Sequence, residues 1–382
     1  MRSWLSAVAT AGAAVTLAGV LAPGAALAGA PAPGALPGIP EKLPERSGCV
    51  QGSAVVVSQT PWQQVVLAPQ RAWPLTRGDV PVAVVDTGVD AGSSWLGGRV
   101  EGAGKDCVGH GTFVAGLIAA RRGSGGPFAG VAPDARIIDV PATDNTGESS
   151  PKRIAAAVTT AVGRGAKVIA VTLAQGRGGD LDRAVKAAAE ADVLVVSAVT
   201  PADAEHGPVS CVPNVPGALC VGALGPDGRV AEPAEARTDL LAPGVSVVGI
   251  GPRGSGNFAG TGSSLSAAFV AGAAALLRAH EPKLTAVQAA ARLRATAYRN
   301  AVGGAGGLDL YAALTTVGSG SSGQVVVAPP LPTYGPGKAR GDGGAVRDAL
   351  AVAAVFGGLV VAVGVGAVVV PRGNRRSWRP PA

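Results

Sequence analysis

The 382-residue chain predicts an α/β domain: a doubly wound, mostly parallel sheet with helices on both faces. Three observations carry that expectation. Short β-branched runs alternate with Ala-rich amphipathic stretches, as crossover connections require. The runs are apolar along nearly their whole length, as strands covered on both faces must be. The helical stretches also have legible ends. Strands are expected at residues 82–85, 136–140, 167–172 and 193–198, and helices at 110–121, 181–191, 264–280 and 285–296. A further helix is expected from Ser150, a capping hydroxyl, with Pro151 at the first position, where a missing N–H costs nothing; it runs to about Val162, before Gly163 and Gly165 stop it. There is no internal repeat, and one domain spanning residues 46–316 accounts for the pattern.

Composition sets the flanks apart. Residues 1–30 carry one early Arg, a long apolar stretch and the small-x-small site Ala26-Leu27-Ala28, the pattern of an export signal. Residues 31–45 form a Pro/Gly-rich extension and 317–346 a Gly/Ser/Pro-rich linker, both read as extended or disordered. Residues 347–371 hold an uncharged run from Ala349 to Val370, long enough for a helix to cross ~30 Å of hydrocarbon. The tail, 372–382, carries Arg372, Arg375, Arg376 and Arg379, which assigns it to the cytoplasmic side and everything before the span to the outside. The reading is therefore a single-pass cell-membrane protein.

A net charge of +7 could suggest nucleic acid, but residues 31–345 carry 26 basic against 24 acidic side chains. No basic stripe with interleaved aromatics is left to neutralise phosphates, which argues against a nucleic-acid partner. Four cysteines, Cys49, Cys107, Cys211 and Cys220, suit two disulfides in an exported chain. Three pairings are open. The spacing of Cys211 and Cys220 around Pro213, Asn214, Pro216 and Gly217 suits a local clamp, which would leave Cys49 for Cys107. The scatter of cysteines and of only three histidines does not make a metal site.

Three segments carry chemistry. In PVAVVDTGVD (81–90) an apolar run ends in Asp86, and the carboxyl ends of strands in an open α/β sheet face the binding crevice. Asp-Thr-Gly also occurs in aspartic peptidases, which need a second carboxylate to share a proton; no second such motif follows, though a homodimer could supply one. In DCVGHGTFVAGLIAA (106–120) His110 lies between two glycines and opens a helix. In NFAGTGSSLSAAFVAGAAALL (257–277) a Gly-rich turn feeds a long helix whose first N–H groups could hold an oxyanion beside a serine.

Together the three resemble the subtilisin-like serine peptidases, whose triad appears in the order Asp, His, Ser. On the family's Gly-Thr-Ser-x-Ala-x-Pro-x-Val-Ala-Gly pattern, Gly262-Ser263 match its Gly-Thr, Ser264 the nucleophile and Val270-Ala271-Gly272 its end. A second register, with Gly260-Thr261-Gly262 on Gly-Thr-Ser, would put glycine at the reactive position and need a two-residue insertion in the helix. FAGVAPDARI (128–137), KVIAVTL (167–173) and DLLAPGVSV (239–247) extend the resemblance over nearly the whole domain. The flanks, with PWQQVVLAPQRAWPLTRGDVPVAVVDTGVD, the clamp cysteines, GGLDLYAAL (306–314) and the C-terminal span, look like the mycosins, the membrane-anchored subtilases of actinobacterial type VII secretion systems.

The resemblance implies a subtilisin-like fold and a serine endopeptidase acting on exported proteins beside a type VII secretion membrane complex. Ser264 would be the nucleophile, His110 the general base and Asp86 its orienting partner, with no metal or cofactor. Three positions depart from the pattern. Thr200, after Val199, stands where the family has the oxyanion Asn; Ala268 replaces a Pro; and Ala174-Gln175 replace glycines of the first specificity pocket. Losing that Asn slows subtilisin by ~100- to 1,000-fold. The alternative is therefore a weak or inactive subtilase serving as a structural member of the secretion complex.

Overall fold

The computed structural model describes residues 36–121, 127–173, 178–199, 211–231, 237–299 and 305–316. The segments read as export signal, linker, span and basic tail lie outside the described residues, as do Thr200, Ala174 and Gln175. Among the described residues no helix is long and apolar enough to cross a membrane.

The core is an eight-stranded sheet in the order β10-β7-β6-β5-β4-β1-β3-β2. Its strands are β1 (Pro81–Asp86), β2 (Val100–Glu101), β3 (Arg136–Pro141), β4 (Val168–Val171), β5 (Leu194–Ala198), β6 (Ala218–Leu224), β7 (Leu240–Pro243) and β10 (Gly306–Gly307). All its pairings are parallel, with Val82 opposite Val168, Val84 opposite Asp139 and Ser197 opposite Cys220. Both edge strands have two residues each, short enough to offer little template for further pairing. A separate antiparallel hairpin joins β8 (Val247–Ile250) to β9 (Asn257–Gly260).

The alternation of side chains along β1 shows why the central runs are apolar throughout. Val82 and Val84 enter one core and Ala83 and Val85 the other. On the first face lie α2 (His110–Ala119), α5 (Ser263–His280), α6 (Ala286–Ala295) and α7 (Leu310–Thr315); on the second lie α3 (Pro151–Gly163) and α4 (Gly179–Glu190). A short helix, α1 (Trp62–Leu67), precedes them. The second residue of α5 is Ser264, and the helix is buried from Ser263 to Arg278, which its Ala, Gly and Ser content permits by letting it pack closely on the sheet.

Capping follows the expected chemistry. The Ser150 hydroxyl accepts from the Arg153 amide, Pro151 takes the first position and α3 ends at Gly163. Thr285 and Gln288 form a reciprocal capping box on α6. The other expected strands and helices also form, with ends shifted by up to two residues.

The segment before residue 46, read from composition as a linker, is docked where described. The Ile39 amide donates to the Ala259 carbonyl at 2.8 Å, the Ala259 amide returns a bond to Pro37 at 2.9 Å, and the Leu43 amide reaches Thr146 at 2.8 Å. Ile39 packs against the first core. The domain's contacts therefore begin about ten residues earlier than composition suggested. Disulfides join Cys49 to Cys107 and Cys211 to Cys220. The first, spanning 58 residues, ties the N-terminal segment to the loop just before His110; a cross-link of this kind typically contributes ~2–4 kcal/mol.

Candidate active site

Three elements deliver the candidate residues to one point. Asp86 is the last residue of β1, His110 the first of α2, and Ser264 lies in the first turn of α5, which the β8–β9 hairpin leads into. Asn257 anchors that hairpin: its Oδ1 accepts from the Val57 amide, and its Nδ2 donates to the Gly249 carbonyl. His110 Nδ1 lies 2.8 and 2.9 Å from the two Asp86 oxygens, and its Nε2 lies 3.1 Å from Ser264 Oγ. Exposures of 0, 3 and 5 % for Asp86, His110 and Ser264 leave the line of groups shielded from bulk water.

The glycines flanking His110 have distinct reasons. Gly109 has φ +92°, a left-handed turn into the helix that a side chain would strain. At Gly111 a Cβ would stand 2.0 Å from the Gly88 carbonyl oxygen and 3.1 Å from the Asp86 Cβ, so only glycine lets the helix approach β1 closely enough for the imidazole to reach its carboxylate.

The serine register is resolved by where each hydroxyl goes. Ser263 donates to the Val199 carbonyl at 2.6 Å, and Ser266 to the carbonyls of Ala242 and Pro243. Thr261 accepts from the Ser246 amide. Ser264 is the hydroxyl that faces the imidazole. Its amide sits in the first turn of α5, where N–H groups have no intrahelical acceptor and the helix dipole favours negative charge.

Burial alone would raise the Asp86 carboxyl. The charge and hydrogen bond of His110, the Thr172 hydroxyl and the Thr87 amide outweigh it and hold the group below its usual range. Burial likewise opposes charging His110, but the Asp86 carboxylate, with smaller contributions from Glu41 and Asp106, raises its pKa to about 9. With Asp86 accepting from Nδ1–H, neutral imidazole keeps Nε2 bare, able to accept the Ser264 proton. The arrangement can deprotonate a serine hydroxyl and stabilise the resulting imidazolium.

Glu41, Thr172, Thr87, Asp106 and Thr112 were not singled out from sequence. Thr172 ends a run of apolar strand residues, and Asp106 stands four residues before His110, the only local signals either offers. Glu41 comes from the docked N-terminal segment: a Cβ at Gly262 would lie 3.1 Å from its Oε1 and 3.0 Å from Ser264 Oγ, so the carboxylate borders the serine. Replacing Glu41 by glutamine is expected to lower the His110 pKa, because one of the charges favouring imidazolium is removed. An NMR titration of the imidazole checks this, and an unchanged midpoint would refute it. A separate cavity of about 610 Å³, lined by Trp73, Arg77, Lys167 and Arg278, lies at the opposite ends of the strands and plays no part in this site.

A parallel α/β sheet with Asp, His and Ser hydrogen-bonded in that chain order defines a subtilisin-like architecture. The subtilase family model matches residues 77–320, and the chain belongs to the subtilase family. It is similar to Mycosin-1 of Mycobacterium tuberculosis (strain ATCC 25618 / H37Rv), with 30% identity across 88% of this chain and 92% of that protein. Among solved structures it resembles MycP1 from the ESX-1 type VII secretion system (TM-score 0.60, 25% identity, 77% of this chain and 98% of that one). It also resembles the MycP3 protease from the ESX-3 system (TM-score 0.56, 30% identity, 75% and 97%).

Proposed function

We propose that this chain is a mycosin-like serine endopeptidase that hydrolyses peptide bonds of exported proteins, held at the outer face of the cell membrane by residues 347–371 and associated with a type VII secretion complex. The observation that carries the catalytic reading is the continuous hydrogen-bonded line Asp86–His110–Ser264. Ser264 Oγ attacks the scissile carbonyl as its proton passes to His110 Nε2. Asp86 holds the imidazole by Nδ1 and stabilises its cation without itself taking the proton. The tetrahedral oxyanion is stabilised by the amide at the start of α5, with Thr200 offering a hydroxyl in place of the family's amide side chain. The imidazolium then returns the proton to the leaving amine, and water repeats the sequence on the acyl-enzyme. Membrane anchoring rests on the uncharged run and its following arginines. The secretion assignment rests on the similarity to mycosins.

A fluorophosphonate applied to the full-length protein is expected to form a covalent adduct on Ser264, read by mass spectrometry and absent from Ser264→Ala. Wild-type protein that stays unlabelled would leave the second reading, a subtilase scaffold whose altered position 200 no longer supports turnover. For the partner assignment, deleting the protein is expected to reduce export of type VII substrates; secretion at the wild-type level would count against it.

A further inference from the structure

We propose that Asp106 is a positioning residue of this site, its buried carboxylate tying the end of β1 to the start of α2 so that His110 is held in register with Asp86. The inference rests on the peptidase reading for its meaning in catalysis, and its geometry stands independently.

Asp106 is 5 % exposed and receives four hydrogen bonds. Oδ1 accepts from the Gly109 amide at 2.7 Å and the Thr87 hydroxyl at 3.0 Å; Oδ2 accepts from the Thr112 amide at 2.8 Å and the Thr112 hydroxyl at 2.6 Å. Amides only donate, so each oxygen has one obligatory donor. The Thr87 hydroxyl accepts from the Gly111 amide at 3.0 Å, and the Thr112 hydroxyl from the Asp90 amide at 2.9 Å, which leaves each its own proton to give to Asp106. Four hydrogen-bonding groups converge on two oxygens, and an ionised carboxylate can accept from all of them.

The residues so joined bracket the site. Thr87 follows Asp86 directly, and Gly109 and Gly111 flank His110, so the carboxylate is bonded to the neighbours of both partners of the 2.8 Å contact. Its charge adds to those of Asp86 and Glu41 in favouring the cation. Asp106 is itself faced by like charges, Asp86 from β1 and Asp139 from β3. Burial and the Asp86 charge raise its pKa, and the Thr112 hydroxyl and the Gly109 and Thr112 amides oppose that rise.

The test is Asp106→Asn in the full-length protein, with Thr112→Val and Thr112→Ser as a second pair. Asparagine keeps the shape, removes the charge and turns an NH₂ toward two donors. The expected result is a fall in kcat of about 100-fold, the scale of a small misplacement of a catalytic group, with KM little changed. The acid limb of the kcat/KM profile and the NMR titration of His110 should both move to lower pH. Thr112→Val should lower kcat and move the titration down less than Asp106→Asn does, since three of the four donors still favour the charge, and Thr112→Ser should restore both. Activity is referred to folded protein by thermal unfolding. A normal kcat per folded molecule together with an unshifted His110 titration in Asp106→Asn would overturn the proposal. Failure of wild-type protein to label at Ser264, with the His110 shift still present, would instead sink the peptidase reading and leave the positioning role standing.

Discussion

Turnover is expected to fall by about a million-fold when Ser264 is replaced by alanine, the scale on which loss of the nucleophile disables a subtilase. The reason lies in the division of labour around the hydroxyl. Ser263 and Ser266 are committed to backbone carbonyls, so neither can substitute for Ser264 at His110. The variant should fold, because the lost oxygen bonds the His110 imidazole and no backbone carbonyl. A fluorogenic peptide assay, alongside thermal unfolding, measures both. The apparent loss is bounded by the wild-type rate, which begins lower if Thr200 stabilises the oxyanion less well than an amide, by up to ~100- to 1,000-fold. Ser264→Ala retaining more than a hundredth of wild-type activity would refute its assignment as nucleophile.

Asp86→Asn is expected to lower kcat by about 10⁴-fold while leaving the packing of β1 intact. Both Asp86 oxygens now accept: from Nδ1–H of His110, the Thr87 amide and the Thr172 hydroxyl. An amide in that place must present N–H to one of these donors. Relief comes if the imidazole moves its proton to Nε2, which removes the base from Ser264. Stability should respond as well. His110 has a pKa of about 9 in the fold against 6.5 for the free side chain, so its pairing with Asp86 contributes fully below about pH 6.5 and is lost as the pH rises through about 9. Thermal unfolding from pH 6 to 10 should show this alkaline loss in wild-type protein and a flatter profile in Asp86→Asn. Equal slopes in both would show that the pair does not set the dependence.

The architecture was legible where local chemistry and burial agree. The central strands read clearly because residues covered on both faces leave uninterrupted apolar runs, and α3 read clearly because Ser150, Pro151 and Gly163 act within a few residues of one another. β6 and β7, the β8–β9 hairpin and the two-residue β10 were not anticipated. Gly, Ala and Pro weaken strand preference in β6, β7, β9 and β10, the β-branched β8 is only four residues long, and their neighbours supply the pairing. The docking of residues 36–43 was hidden for a similar reason: Pro- and Gly-rich composition describes an extended chain, and the carbonyls of Ala259 and Thr146 that receive it lie more than a hundred residues away.

The sequence by itself determined the family pattern, the order Asp86, His110, Ser264 and the apolar C-terminal run, because each is carried by short motifs legible along the chain. Only the tertiary structure decided which hydroxyl faces the imidazole, which cysteines pair, and that Glu41, Thr172 and Asp106 surround the His110–Asp86 contact. Those are matters of distance between segments separated by tens to hundreds of residues. Hydrogen-bond direction and charge act over a few ångströms in space and leave no periodic trace in the chain.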